Sequence, residues 1–438
     1  MAQGRAGPRG HSSIVSGSVA VVGLGRVGLP LALLFADRGM EVVGVDIDEA
    51  SVAGLNRGAM PFWEEGGQEL LTKHNGKGFQ ATTDASRVAT CEYVVLTLGT
   101  PVDENMNPNL SQIDRALDSL RPGLHAGQTV ILRSTVSPGT TQWVLAKLED
   151  EFGLRVGTDV FLAFCPERIA EGRALEELAT IPQIVGGVDA ASTDRALTLF
   201  SRLGAECLAT DDVSAELAKL FTNMYRYISF AIANEFMIIA GQWKRDINHI
   251  VELVNHGYKR GGLALPGFSA GPCLFKDGFF LVNQIPFTEL ISTAWKINES
   301  VPVWLVAALK EAMTLRNKRA VILGAAFKAN SDDARQSLSY KVRKALLRER
   351  AIVTMHDPHV RGLDGNLEQA LHGADLVFVA TNHAAYKRLS LRDLREHVGQ
   401  DCVVSDIWNI FGTQHTLFHL DEAIAAAPIT TTEAKATA

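Results

Sequence analysis

Cysteine is scarce. The 438 residues hold five (Cys91, Cys165, Cys207, Cys273 and Cys402), odd in number, scattered, and with no CxxC pair. That excludes a disulfide framework and a zinc ribbon, leaves no metal site to expect, and fits a reducing compartment, so the expected location is the cytoplasm. A dominant charge is lacking too. Lys plus Arg number 42 against 49 Asp plus Glu, a net charge of −7, and no long basic block occurs, so nucleic acid is not an expected partner. No apolar run is long and unbroken. The richest stretch, 19–36, is interrupted by Arg26 and several glycines, which argues against a spanning helix and a membrane partner. The first sixteen residues carry two arginines but no apolar centre, and so do not read as a secretory signal. What is present, 47% hydrophobic and 21% charged residues, is a globular composition, and the length calls for two or three domains.

A Gly/Ser/Arg-rich start (1–16) and an Ala/Thr-rich end (426–438) read as disordered tails. Between them, short apolar runs at 19–22, 42–45, 93–98, 129–132, 160–163 and 184–185 alternate with helical patterns. Without strict polar alternation, such runs suit strands buried on both faces, hence a parallel sheet covered by helices. From 214 to about 243 there is no Pro and one Gly, with Leu217, Leu220, Phe221 and Met224 at helical spacing, which predicts one long helix. A second strand–helix alternation follows at 320–323, 352–355, 376–379 and 403–404. The expected fold is α/β, two Rossmann-like doubly wound domains (17–205 and 311–425) joined by a long central helix within a helical segment, 206–310.

The segment VAVVGLGRVGLP, 19–30, places Gly23, Gly25 and Gly28 as GxGxxG between an expected strand and helix. The glycines serve a tight turn, close approach of a pyrophosphate, and close helix–strand packing, while the helix start offers free N–H groups. Asp46 stands eighteen residues after Gly28, at the end of the next strand, where a carboxylate accepts from a ribose 2′-OH. Its charge would repel a 2′-phosphate, so NAD is favoured over NADP. Asp48 reads as a solvated turn residue.

Further along, Cys273 lies in a Gly-Pro turn with Lys276 and Asp277 behind it, and a thiol near a cation ionises more readily. Cys91, Cys207 and Cys402 read as inert packing residues; Cys165, beside Pro166 and Glu167, reads as structural. Lys219 and Asn223 are i and i+4 on the long helix and so share one face. Glu167 and Glu171 have the same spacing, which by itself fits a charged loop as well as a catalytic pair.

Several segments together resemble the UDP-glucose/GDP-mannose dehydrogenase family: GLGRVGLP (23–30), GTP (99–101), STVSPGT (134–140), PERIAEG (166–172), AELAKLFTN (215–223), GPCLFKD (271–277) and LGAAFKANSDDARQS (323–337). They occur in family order, over roughly 18–425. The resemblance implies an NAD-dependent oxidation of a nucleotide sugar at C6 to the uronate, with two NAD per sugar. It implies an NAD-binding first domain, a central domain that dimerises, and a UDP-binding last domain. By the same resemblance Cys273 is the nucleophile, and Lys219 and Asn223 hold the sugar and its oxyanion. Asp277 acts with a water that Thr135 positions, and Glu167 activates water against a thioester, as a general base should. Arg26, Val27, Thr100, Pro101, Thr135, Glu171, Lys276 and Arg335 fall on the cofactor side; Glu167, Gly271 and Lys328 on the nucleotide-sugar side. Arg260 takes the part of an arginine reaching a neighbouring subunit's substrate.

Two departures stand out. Ser51 occupies a position where many members carry Lys, and GYKRGGLALPGFSAGPC (257–273) replaces the usual loop before the cysteine. The PERI form at 166–169 resembles the branch acting on UDP-N-acetylhexosamines, so UDP-N-acetyl-D-mannosamine is the expected substrate, with UDP-glucose and UDP-N-acetylglucosamine as alternatives. A two-electron β-hydroxyacid-type dehydrogenase and a non-catalytic nucleotide-sugar binding protein remain open.

Overall fold

The computed structural model describes residues 15–282 and 288–426; the rest of both expected tails lies outside the described residues. The described residues divide into two compact units, the chain up to Thr222 with 279–282, and Asn223–Gly278 with 288–426. The long helix, Asp212–Gln242, runs through the division and matches the expected span to within two residues.

The first unit is built on eight strands: β1 Val15–Val22, β2 Glu41–Val45, β3 Phe79–Thr82, β4 Cys91–Leu96, β5 Thr129–Leu132, β6 Phe161–Phe164, β7 Gln183–Gly187 and β8 Cys207–Asp211. Their order is β3-β2-β1-β4-β5-β6-β7-β8, parallel throughout except for the β6–β7 pair. Continuous apolar runs such as 129–132 are buried along their whole length, as strands covered on both faces must be. The helix Gly28–Asp37 packs on the sheet with every residue from Gly28 to Ala36 buried. Strand order reverses between β1 and β4, so the chain leaving these strands borders the crevice where a doubly wound sheet binds its ligand.

Two strands of this sheet escape the apolar-run criterion. β3 and β8 lie at its edges, and β8 has no buried residue, so neither carries a fully apolar sequence. β1 begins at Val15, two residues inside the stretch read as a tail, with a register shift against β4 before Val19.

The second unit carries five strands: β9 Arg319–Leu323, β10 Ile352–His356, β11 Leu376–Val379, β12 Val403–Asp406 and β13 Leu417–His419, in the order β10-β9-β11-β12-β13. All pairs are parallel except β12–β13. This second doubly wound sheet reverses between β9 and β11. Part of the long helix and the helix Glu289–Ala312 belong to the same unit. A buried amide relay joins them: Asn234 Nδ2 donates to Asn298 Oδ1 at 2.9 Å, and Asn298 Nδ2 donates to the Tyr227 carbonyl at 3.0 Å. Asn234 also exchanges two 3.0 Å bonds with the backbone of Gly267, fixing the loop that leads to Cys273.

Candidate active site

In the first unit the glycine segment follows β1 directly. A Cβ on Gly28 would lie 1.9 Å from the Gly23 carbonyl oxygen and 2.4 Å from Thr97 Oγ1, so only glycine allows this approach. A Cβ on Gly25 would meet nothing within 4 Å, and that side of the turn has room for a phosphate at the start of the helix. Val27 is the residue from which that helix departs. Asp46 accepts from the Leu24 N–H at 2.6 Å and the Asp48 N–H at 3.0 Å, which leaves about two of its four lone-pair directions for ribose hydroxyls. Asp48 caps the helix Glu49–Asn56, accepting from the N–H groups of Ala50 and Ser51. Thr100 is buried and Pro101 half-buried in the chain after β4. Arg26 stacks 5.0 Å over the Phe62 ring and comes within 4.0 Å of Glu171. This donor set and the open glycine turn fit a dinucleotide.

Glu167 and Glu171 lie on a loop, and they face different partners. Glu167 Oε2 receives Nε of the wholly buried Arg133 at 2.9 Å and a second bond from its Nη2. Glu167 Oε1 receives the N–H groups of Arg168 at 2.7 Å and Ile169 at 3.0 Å. Arg133 also donates to the Cys165 carbonyl and to Gln183, and its guanidinium lies 4.8 Å over Phe200. The Glu171 segment is fastened by the buried Glu64, which accepts from the N–H groups of Gly172 and Ala174 at 2.9 and 2.6 Å.

Thr135 is half-buried in the loop after β5. That loop is tied to the long helix by Glu216, wholly buried, which accepts from the N–H groups of Gly139 and Thr141 and from Thr141 Oγ1 at 2.6–2.8 Å. Burial pushes the Glu216 carboxyl up, and these bonds pull it back. One turn on, Lys219 is only 9% exposed, and among the described residues no carboxylate pairs with its ammonium. A buried cation in that state favours an oxygen-rich ligand.

In the second unit the buried Asn223 donates from Nδ2 to Asp277 Oδ2 at 2.6 Å. Asp277 is wholly buried, and its other oxygen accepts from Lys276 Nζ at 2.8 Å. The cation expected to assist the thiol therefore has a carboxylate partner of its own. Cys273 starts the single turn Leu274–Asp277 and is exposed, unlike the other four cysteines. Burial pushes the Cys91 thiol up to about 11 and those of Cys165 and Cys402 up to about 12, and raises Cys207 as well. Gly271 holds φ at +100°, and a Cβ there would lie 2.5 Å from the Phe327 ring. Its N–H donates to the Gln336 carbonyl at 3.3 Å, which links the cysteine loop to the segment of Lys328 and Arg335. Lys328 is half-buried, and Arg335 pairs with Asp333 at 2.6 Å. Arg260 is exposed, its guanidinium 5.2 Å over the Tyr258 ring.

Sequence reading passed over Arg133, Glu64, Glu216, Asn234 and Asn298. Glu216 carried a signal, standing three residues before Lys219 on one helix face; Arg133 carried another, a cation ending an apolar strand. Among the described residues no group of three or more His, Cys, Asp or Glu is placed to hold a metal ion, and no helix is long and apolar enough to cross a membrane.

Comparison with known proteins agrees with this arrangement along the chain. The NAD binding domain of the UDP-glucose/GDP-mannose dehydrogenase family matches residues 17–204, its central domain 213–300, and its UDP binding domain 321–413. The UDP-N-acetyl-D-mannosamine dehydrogenase of Pyrococcus horikoshii is 31% identical over 395 residues, covering 88% of this chain and 94% of that protein. The NDP-N-acetyl-D-galactosaminuronic acid dehydrogenase of Ralstonia nicotianae is 30% identical, covering 87% and 94%. The solved UDP-N-acetyl-mannosamine dehydrogenase of Staphylococcus aureus superposes with a TM-score of 0.80 at 28% identity, over 90% of this chain and 95% of that one. The chain belongs to the UDP-glucose/GDP-mannose dehydrogenase family of NAD-dependent nucleotide-sugar dehydrogenases.

Proposed function

We propose that the chain oxidises UDP-N-acetyl-D-mannosamine at C6 to the uronate in two successive two-electron steps through Cys273. The observation that carries the chemistry is an exposed thiol four residues before a wholly buried Asp277 that Asn223 grips at 2.6 Å. Bound NAD supplies the hydride acceptor in each oxidation. Gly23, Gly25, Arg26, Gly28, Asp46 and Glu171 would hold it.

The chain's own groups do the rest. Asp277 takes up the C6 hydroxyl proton by way of a water that Thr135 orients, as hydride leaves C6. Cys273 sulfur then bonds to the aldehyde carbon, and its proton ends on the new hydroxyl. Lys219 and Asn223 stabilise the oxygen while it carries negative charge. Loss of the second hydride to that acceptor, with the hydroxyl proton passing through the ordered water to solvent, leaves a thioester. Glu167 takes a proton from the water that attacks it, the C–S bond breaks, and the thiol returns.

The substrate reading is supported by the 31% identical mannosamine enzyme and by the PERI segment; the Ralstonia relative, an NDP-N-acetyl-D-galactosaminuronic acid dehydrogenase, favours a galactosamine-type sugar as the second reading. The apolar stripe Phe221, Tyr225, Ile232, Phe236 and Ile239, exposed on the long helix, continues to the exposed Trp243 just past its end and supports a homodimer. Beside it lies a largely apolar hollow of about 700 Å³, lined partly by Phe236, Trp243, Tyr258 and Arg260. Scattered and mostly buried cysteines support a cytoplasmic location. A panel of UDP-N-acetyl-D-mannosamine, UDP-N-acetylgalactosamine, UDP-N-acetylglucosamine and UDP-glucose, read by NADH absorbance, tests the proposal. Two NADH per mannosamine substrate are expected. One NADH per sugar would move the two-electron dehydrogenase to the front, and binding without NADH would favour a non-catalytic role.

A further inference from the structure

The second unit holds a buried Asp–His pair that the proposed reaction does not use. Asp357 follows β10, His383 follows β11, and both are wholly buried. His383 Nε2 lies 3.0 Å from Asp357 Oδ2. The pair resembles the relay of a hydrolase, but the ring's other nitrogen, Nδ1, accepts the backbone N–H of Asn330 at 2.9 Å. A backbone N–H can only donate, so the ring proton resides on Nε2 and is donated to Asp357. With both nitrogens engaged, the imidazole has no site from which to take a substrate's proton.

What the pair does hold is the chain from 324 to 330. Asp357 Oδ2 accepts the N–H groups of Ala325 and Ala326 at 2.7 and 2.8 Å, and its Oδ1 accepts those of His359 and Val360. Burial alone would raise the Asp357 carboxyl; the His383 bond and these N–H groups hold it well below the usual carboxylate range. Thr381 Oγ1 donates to the Ala326 carbonyl at 2.6 Å, and Asn330 Oδ1 accepts the Ala384 N–H at 2.9 Å. The turn into the loop is left-handed at Gly324 (φ +99°), and the turn out of it at Asn330 (φ +53°). Fastened at 325, 326 and 330, the loop carries Lys328 between its anchors.

We propose that His383 is a positioning residue for the nucleotide sugar: by accepting the Asn330 N–H it sets the course of the loop that presents Lys328 to the UDP moiety, while its bond to Asp357 orients the ring. This rests on the reading of Lys328 as a nucleotide-sugar contact. Two carboxamide substitutions separate the ring's two bonds. His383→Asn keeps an acceptor where Nδ1 stands, and His383→Gln keeps a donor where Nε2 stands. UDP binding to the full chain is measured by calorimetry, with kcat and KM for the nucleotide sugar and for NAD alongside. The Gln variant should bind UDP about tenfold more weakly and raise the sugar KM to match, leaving kcat and the NAD KM within about twofold. The Asn variant should recover most of the affinity. Lys328→Ala should weaken UDP binding, and adding His383→Gln to it should weaken binding no further, because the histidine acts through the lysine loop. If His383→Gln does not fold, Thr381→Val, which removes only the bond to Ala326, takes its place. Undiminished UDP binding by Lys328→Ala overturns the reading of the loop, and the proposal with it. Weakened binding by Lys328→Ala beside normal binding by His383→Gln, or fully multiplicative losses in the double variant, overturns the proposal alone.

Discussion

Arg133 and Glu167 form a buried ion pair in which the guanidinium donates twice to one carboxylate oxygen, while two backbone N–H groups occupy the other. All of the roughly four lone-pair directions of Glu167 are thus engaged. For Glu167 to take a proton from water, one bond has to open, and the neutral donors at Arg168 and Ile169 are weaker partners than a guanidinium.

The first prediction concerns this pair. Arg133→Met leaves a carboxylate only 8% exposed without its cation, and should cost about 3–5 kcal/mol. Arg133→Met with Glu167→Leu should recover most of that loss, because no lone charge stays buried. Urea unfolding of both variants checks this. Equal losses in the two would mean that Arg133 matters through its packing on Phe200 rather than through the pair.

The second concerns cofactor choice. Asp46 turns two lone-pair directions away from its backbone bonds, and its charge opposes a 2′-phosphate. NAD should give a much higher kcat/KM than NADP, and Asp46→Ala should narrow the ratio by at least about tenfold, the size of one lost charge-assisted contact. Equal kcat/KM for both cofactors in the unaltered chain contradicts the reading.

Much of this was legible from sequence, for physical reasons. Strands buried on both faces declare themselves as apolar runs, so the central strands of both sheets were readable. β3, β8 and β13 lie at sheet edges, where half-exposed positions dilute the signal. The glycine turn and Asp46 were readable because each glycine answers a local steric demand. Arg133 with Glu167, Glu64 with the 172–174 turn, and His383 with Asn330 were not, because each joins residues 34 to 110 positions apart. The spacing of Glu167 and Glu171 fitted a charged loop as well as a catalytic pair; they lie on a loop, which turns them to Arg133 and Arg26 respectively.

The third prediction concerns the exposed helix stripe. The chain should be at least a dimer at micromolar concentration, and Ile239→Glu with Trp243→Glu should drive it towards monomer by placing charges in an apolar contact. Light scattering reads the mass. A monomer in the unaltered chain would remove the basis for Arg260 serving a neighbouring subunit.

The fourth concerns pH and stability. Asp406, at the end of β12, is wholly buried; one oxygen accepts the Phe411 N–H at 3.0 Å, and the other has no partner among the described residues. Burial pushes its carboxyl up to about 6, whereas an unfolded Asp titrates near about 3.9. Between these values the folded chain binds the extra proton, so this group's contribution falls as pH rises through the window and is a net penalty above it. Asp406→Asn, which is uncharged at every pH, should raise stability by about 2 kcal/mol at pH 7.5 and by little at pH 4. Unfolding midpoints at the two pH values decide it; a gain independent of pH would show that the carboxyl does not titrate in this window.

The last prediction separates the two halves of the proposed chemistry. Cys273→Ser should lose overall turnover, because a serine hydroxyl is almost wholly protonated at neutral pH and a far weaker nucleophile towards an aldehyde. Glu167→Gln keeps the thiol and an oxygen to accept from Arg133, but cannot take a proton from water. In that variant the second oxidation should still occur and the thioester should persist. Intact-mass spectrometry after mixing with NAD and the sugar nucleotide should therefore show an adduct on Cys273, and NADH should appear as a burst followed by a slow phase. The Arg133 pair sharpens the expectation, since removing the Glu167 charge leaves a buried guanidinium facing a neutral amide, so the variant should also unfold at lower urea. An adduct without the burst would mean that Cys273 is acylated outside the oxidative route. Near-normal uronate formation by Cys273→Ser would mean that the thiol is not the nucleophile, and Glu167 would then have no thioester to hydrolyse.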